Sequence, residues 1–239
     1  MTGDNLRLEN QETYRLRGLE EEAIEALGVL GDLLLKSPVN VTGHTAPGEI
    51  ERNHFLDSLS LLEVEPLRRV RSIVDVGSGG GFPALVLALA LPQSRIVALD
   101  SVGKKCRFIR EAAEVLGLRN LEVEQARAEE AGRGKYRGFF EAGVARAVAG
   151  LPVDAELVVP LLRMGGVFVD MKGAMSNEEL THGKTALGIL GAQYEEIRSV
   201  EPFPGADNRW LFVARKIAAT PDRYPRRTGV PAKRPLGVK

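Results

Sequence analysis

From residue 72 onward the chain alternates short β-branched runs with helix-length apolar segments, and this alternation narrows the possible folds more than any other feature. Strands are expected over 72–76, 95–99, 121–125, 139–145, 167–171, 194–200 and 210–215. Helices are expected between them over 82–91, 104–116, 151–162 and 178–190. Such an order implies an α/β architecture, a mostly parallel seven-stranded sheet with helices on both faces.

A helical region precedes it. Leu19, Ala23, Ala26, Leu27, Leu30, Leu33 and Leu34 recur at helical spacing, with Glu20, Glu21, Glu22 and Glu25 between them. Ser37-Pro38 stops this helix, and after a polar loop Pro47 can open a second one through His54, Leu56, Leu59 and Leu62. The expected organisation is an N-terminal helical extension over 1–66, an α/β body over 67–217 and a basic, proline-rich tail over 218–239. With Pro221, Pro225, Pro231 and Pro235 the tail is expected to lie extended on the surface.

Formal net charge is zero, but it is unevenly placed. Residues 1–36 carry eight acids and four bases, and residues 215–239 carry eight bases and one acid. A basic tail on a neutral body can hold an anionic partner. Apolar residues make up 44% of the chain and charged residues 27%, as in a soluble globular protein. No apolar run approaches the length of a membrane span, and no signal-peptide pattern opens the chain. Cys106 is the only cysteine, which rules out an intrachain disulfide or a cysteine-rich zinc site and fits a reducing, cytoplasmic setting. Neither a membrane nor a metal partner is expected.

The sharpest local signal is Asp75-Val76-Gly77-Ser78-Gly79-Gly80-Gly81-Phe82-Pro83, which follows a strand and opens a helix. Glycines there allow a tight turn and close approach to a ligand. A dinucleotide site wants a third glycine where Phe82 stands. The spacing is instead Asp-x-Gly-x-Gly-x-Gly, and an acid ahead of the first glycine suits a ligand with an ammonium and no pyrophosphate, such as S-adenosylmethionine. Asp100, at the end of the second strand, can accept ribose hydroxyls. Ala128 and Glu129, after the third strand, stand where a loop can reach an adenine edge. The competing role for Asp75 and Asp100 is helix capping; for Glu129 it is a solvated loop acid.

Acceptor chemistry is constrained by what is missing. Carbon-5 methylation of a pyrimidine needs a thiolate, and Cys106 falls within a helix as a packing residue. Methylation of an exocyclic amine uses a proline pair after the fourth strand, where this chain has Val144-Ala145-Arg146-Ala147. A ring nitrogen such as guanine N7 carries a free lone pair and needs no base. Arg146 can hydrogen-bond a guanine edge, a phosphate or a cofactor carboxylate, or form a surface ion pair.

Several separated segments together resemble the RsmG (GidB) family of bacterial 16S rRNA guanine-N7 methyltransferases. They are Asn40-Val41-Thr42, His54-Phe55-Leu56-Asp57-Ser58, the glycine loop with Phe82-Pro83, Leu99-Asp100-Ser101 with Lys104-Lys105, Ala145-Arg146-Ala147, Met171-Lys172-Gly173, and Tyr224-Pro225-Arg226-Arg227 with Gly229. The resemblance implies a Rossmann-like class I methyltransferase fold, S-adenosyl-L-methionine as cofactor, and 16S rRNA or a small-subunit precursor as partner. By motif it places cofactor contacts on Gly77, Phe82, Asp100, Ala128, Glu129 and Arg146. It makes Arg146, Lys172 and His54 positioning candidates and turns Lys172, Arg209, Arg226, Arg227, Lys233 and Arg234 towards RNA. His54 and Asp57, three apart, can share one helix side. Asn53 stands where the family has arginine, and Arg209-Trp210-Leu211 where Arg-His-Leu is common. Two alternatives are a methyltransferase for a ribose 2′-hydroxyl, with Asp170 and Lys172 assisting deprotonation, and a nucleotide-binding module without catalysis. Removal of residues after Ala219 is expected to weaken RNA binding and spare cofactor affinity.

Overall fold

The computed structural model describes residues 6–37, 43 and 46–238; the segment Asn40-Val41-Thr42 lies outside these. Seven strands form one sheet: β1 (Ser72–Val76), β2 (Arg95–Asp100), β3 (Leu121–Gln125), β4 (Phe140–Arg146), β5 (Leu162–Lys172), β6 (Ala192–Ser199) and β7 (Trp210–Lys216). Their spatial order is β3-β2-β1-β4-β5-β7-β6. The pairings from β3 to β5 are parallel, and β7 runs antiparallel to both of its neighbours. Chain direction across the sheet reverses between β1 and β4, the switch point at which open α/β sheets bind ligands.

Successive strand residues point to opposite faces, and the two faces hold separate cores. On one, Ile73, Ile96, Ala142 and Val169 pack with Leu27, Leu30, Phe55, Leu85 and Ile109. The N-terminal helices Gln11–Leu16 and Glu21–Lys36 thus share a core with the helices Ala84–Ala90 and Gly103–Val115. Glu51, 2% exposed, ties the extension down by accepting from Glu9 N (3.0 Å), Asn10 N (2.9 Å) and the Tyr14 hydroxyl (3.2 Å). On the other face Val74, Val97, Phe168 and Phe212 pack beneath the helices Leu151–Val158 and Asn177–Leu190.

The structure corrects the sequence reading in five places. The second N-terminal helix is not one helix: Pro47–Ile50 is α-helical, Glu51–Leu56 a wider π-helical turn, Asp57–Leu59 α-helical and Ser60–Glu63 a 3₁₀ turn. The helix expected from residue 82 starts at Ala84. The helix expected over 151–162 stops at Val158, and a 3₁₀ turn containing Pro160 follows, because proline lacks an amide donor. β5 then begins at Leu162 and runs through Gly165, whose φ of 76° lets the strand bulge before it regains register at Val167. Nor is the tail simply extended. Thr220, Tyr224, Pro225, Pro231 and Leu236 are buried, and Val230–Lys233 is a helical turn. Tyr224 and Leu236 join the second core, a use that proline content does not announce.

Candidate active site

A cavity of about 590 Å³ opens at the C-terminal ends of β1, β4 and β5, a size ordinary for a cofactor or substrate site. The loop from Gly77 to Phe82 forms one wall. Gly77, Gly79 and Gly81 have φ of 72°, 57° and 93°. A Cβ on Gly77 would sit 2.6 Å from Val148 Cγ2, so both conformation and space demand glycine there. The turn is fixed by Gly77 N and Ser78 N, which donate to Leu99 O at 2.8 and 3.2 Å.

The two strand-end acids both accept from backbone amides. Asp75 is fully buried; its Oδ2 accepts from Ala84 N at 3.1 Å, and its Oδ1 has no partner. Burial pushes the Asp75 carboxyl up to about 7, opposed by the Ser78 hydroxyl, the Ala84 amide and the charge of Arg146, and reinforced by Asp100. Asp100 accepts from Gly79 N and from Val102 N, both at 2.8 Å. Neither acid is the N-cap of the helix that follows, a place held by Pro83 and Val102; Asp75 instead reaches the first helical amide from the end of β1, and Asp100 braces the glycine loop. Cys106 is buried, with Sγ donating to Asp100 O at 3.3 Å, as a packing residue should be.

Arg146 ends β4 and crosses the cavity floor. Its Nη1 donates to Asn53 O (2.8 Å) and Asp57 Oδ2 (3.1 Å), and its Nη2 lies 3.1 Å from His54 Nδ1. An arginine can only donate, so that ring nitrogen accepts. The His54 ring stacks on Phe82 at 4.7 Å between centroids, and the guanidinium lies 5.7 Å from the same ring. His54 and Asp57 thus do share a side, and the π-helical turn carries the Asn53 carbonyl to the same guanidinium. Arg146 is an ion pair, but with a side chain 17% exposed it is not a surface one. Arg209 Nε approaches the other oxygen of Asp57 at 3.3 Å from the cavity mouth.

Lys172, at the end of β5, is 10% exposed and fully engaged. Its Nζ donates to Ala149 O at 2.6 Å and Asp154 Oδ2 at 2.7 Å and lies 3.1 Å from Asp170 Oδ2. Burial raises the Asp154 and Asp170 carboxyls, each pulled back by Lys172, with mutual repulsion adding to the rise at Asp170. The Lys172 ammonium is held above its ordinary range by the two acids despite burial. The loop it grips contains Ala147, a non-glycine residue at φ 52°, a strained conformation of the kind that collects at functional sites.

The remaining candidates separate. Gly77, Phe82, Arg146, His54, Lys172 and Arg209 line the cavity; Asp100, at the end of β2, and Ala128 and Glu129, in the helical turn after β3, lie outside its lining. Glu129 Oε1 accepts from Gly229 N at 2.9 Å, so it is not a solvated loop acid. Of the tail cations, Arg227, Lys233 and Arg234 are exposed, whereas Arg226 is bound to the fully buried Glu156. Sequence reasoning gave no site role to Met171, Val200 and Leu211, apolar residues that also line the cavity. Nor did it find Glu156, whose one signal is an acid inside an apolar helix.

A family profile described as GidB, rRNA small subunit methyltransferase G, matches residues 32–203. The chain is 46% identical over 201 residues to Ribosomal RNA small subunit methyltransferase G of Rubrobacter xylanophilus, covering 82% of this chain and 77% of that one. It is likewise 46% identical over 202 residues to the protein of that name from Deinococcus radiodurans, at 83% and 79% coverage. The chain belongs to the rRNA small subunit methyltransferase G family. Members of this family are S-adenosylmethionine-dependent enzymes that methylate guanine N7 in 16S rRNA, and the chain is such a methyltransferase. Its fold is also that of more distant methyltransferases. A 16S rRNA (adenine(1408)-N(1))-methyltransferase from Catenulisporales acidiphilia superimposes with a TM-score of 0.52 at 16% identity, over 68% of this chain and 92% of that one. A precorrin-6y C5,15-methyltransferase from Geobacter metallireducens gives 0.51 at 19% identity, over 67% and 87%. Among the described residues no helix is long and apolar enough to cross a membrane, and no cluster of His, Cys, Asp and Glu could hold a metal.

Proposed function

We propose that the cavity at the β1/β4 switch point is where this methyltransferase brings its cofactor to N7 of a guanine in 16S rRNA. The residues fit the cofactor. The glycine cradle admits close backbone approach, the partnerless Asp75 Oδ1 suits an ammonium, and Asp100 keeps lone pairs for ribose hydroxyls. Ala128 and Glu129 border the adenine end. When bound, S-adenosylmethionine supplies an electrophilic methyl group on a sulfonium.

The observation that carries the choice of acceptor is the state of the nearby carboxylates. Asp57 is the one carboxylate lining the cavity among the described residues, and it is paired with Arg146 and Arg209. Asp154 and Asp170 sit behind Lys172 at 0% exposure. Neither placement supports a base that must strip a proton from a hydroxyl, which counts against a ribose acceptor. Guanine N7 has no proton to lose, so the protein need only hold its lone pair in line with the methyl group. Such positioning can supply roughly 7–11 kcal/mol. Arg146, locked by His54, Asp57 and Asn53, is the group that orients donor and acceptor. Trp210, at the cavity mouth, offers a flat face on which a base can stack. The division of labour between the body, 67–217, and a helical extension, 1–66, belongs to this reading, as does a cytoplasmic place of work where ribosomal RNA is found.

The test is direct. Purified protein incubated with S-adenosylmethionine and 16S rRNA or 30S particles from a strain lacking this gene should yield 7-methylguanosine on nuclease digestion and mass spectrometry. Methylation at the ribose alone, or none with either substrate, overturns the reading.

A further inference from the structure

We propose that the C-terminal strap, residues 224–230, is a working part of the cofactor site, with Arg226 a positioning residue that acts through Glu129. The inference rests on the reading that Ala128 and Glu129 border the cofactor's adenine end. Those two residues open a helical turn of four residues, Ala128–Ala131. A turn so short has no stability of its own and takes its position from its neighbours. On the inner side Ala126 N donates to Asp100 O at 3.1 Å, which places the turn beside the ribose-facing acid. On the outer side the neighbour is the strap.

The strap is latched at both ends of the turn. Gly229 N donates to Glu129 Oε1 at 2.9 Å, with Gly229 at φ 79°, a conformation that favours glycine. Beyond the turn, Pro225 O accepts from Arg133 Nε at 2.7 Å, and the Pro225 ring lies so close to Gly132 that a Cβ there would sit 3.1 Å from its Cγ. What holds the strap is a charge pair: Glu156, with no solvent exposure, accepts from Arg226 N at 2.7 Å and Arg226 Nε at 2.9 Å. A tail that served only to attract RNA would need none of these bonds. Their effect is to fix Glu129 and the turn before a ligand arrives, which removes an ordering cost from binding. Cutting the chain after Ala219 should therefore weaken cofactor binding as well as RNA binding, against the expectation from sequence.

Titration calorimetry with S-adenosylhomocysteine tests this on Arg226→Ala and Arg226→Lys, with melting curves to establish folding. The dissociation constant should rise about tenfold in Arg226→Ala, the worth of roughly one orienting hydrogen bond. Arg226→Lys, which can keep one bond to Glu156, should recover part of the loss. A folded Arg226→Ala that binds like the wild type overturns the proposal. Amide hydrogen exchange on the unaltered protein gives an answer even if Arg226→Ala does not fold. Added S-adenosylhomocysteine should slow exchange at Gly229 and in the 127–131 turn along with the 77–81 loop. Protection of the glycine loop with Gly229 unchanged overturns the strap's role alone; protection nowhere overturns the cofactor reading and the strap's role with it.

Discussion

Asp75 carries a burial penalty, and under the proposed reading the cofactor's ammonium relieves it. The usual value for this carboxyl is 3.8 and burial moves it to about 7, so between those pH values the folded protein holds a proton that the unfolded chain has released. Stability from this group is fully present at low pH and is lost as pH rises towards 7. An ammonium placed at the partnerless oxygen favours the carboxylate and so expels the proton on binding. S-adenosylhomocysteine affinity should accordingly increase with pH by up to about tenfold per unit below pH 7 and level off above it. Arg146 and Asp100 act on the same carboxyl with opposite signs, which is why the midpoint has to be measured by calorimetry at several pH values. The dependence should vanish in Asp75→Asn; a flat profile in the wild type contradicts the argument. At this scale the sequence is legible where register speaks. Asp75 and Asp100 end consecutive strands and could be placed, whereas the charge pair of Arg226 with Glu156 joins residues 70 apart with no local pattern.

Strand and helix packing makes its own demands. Gly143 in β4 lies under the helix Leu151–Val158, and a Cβ there would sit 2.4 Å from Val158 Cγ1 and 3.1 Å from Leu162 Cδ2. Gly143→Ala should cost about 1–3 kcal/mol by overpacking, read from urea unfolding; an unchanged midpoint would mean that the helix shifts freely. Lys172 ties β5 to that helix through Asp154 and to the loop after β4 through Ala149 O. Lys172→Ala leaves two buried acids without their cation, a loss of about 3–5 kcal/mol. Because both acids already have raised values, protons can take the cation's place, and the deficit should shrink when unfolding is repeated at lower pH. A deficit that grows on acidification would refute the assignment. The inner strands were legible as short apolar, β-branched runs between turn signals, and the more polar β3 and β6 from their place in the alternation with helices. The π-helical turn at Glu51–Leu56 and the β5 bulge were not, since each answers to a distant partner rather than to its own propensity.

Charge in the whole molecule is placed rather than abundant. The acidic N-terminal region packs on one sheet face, while the basic tail closes over the other. Of the described tail cations, Arg226 is paired with Glu156, and Arg223, Arg227, Lys233 and Arg234 are exposed. Only exposed cations can displace counterions from RNA, and for single strands each phosphate neutralised contributes about 0.7 to the logarithmic salt slope. Changing Arg227, Lys233 and Arg234 together to alanine should therefore reduce that slope by about 2 if all three touch phosphate. The same variant should keep its cofactor affinity, because the latch from Gly229 N to Glu129 and the pair of Arg226 with Glu156 are untouched. Filter binding at several salt concentrations, with calorimetry on the same protein, separates the two effects. An unchanged slope would move the RNA contact off these three residues, to the exposed Arg223 or to Arg209 at the cavity, whose side chain is 36% exposed.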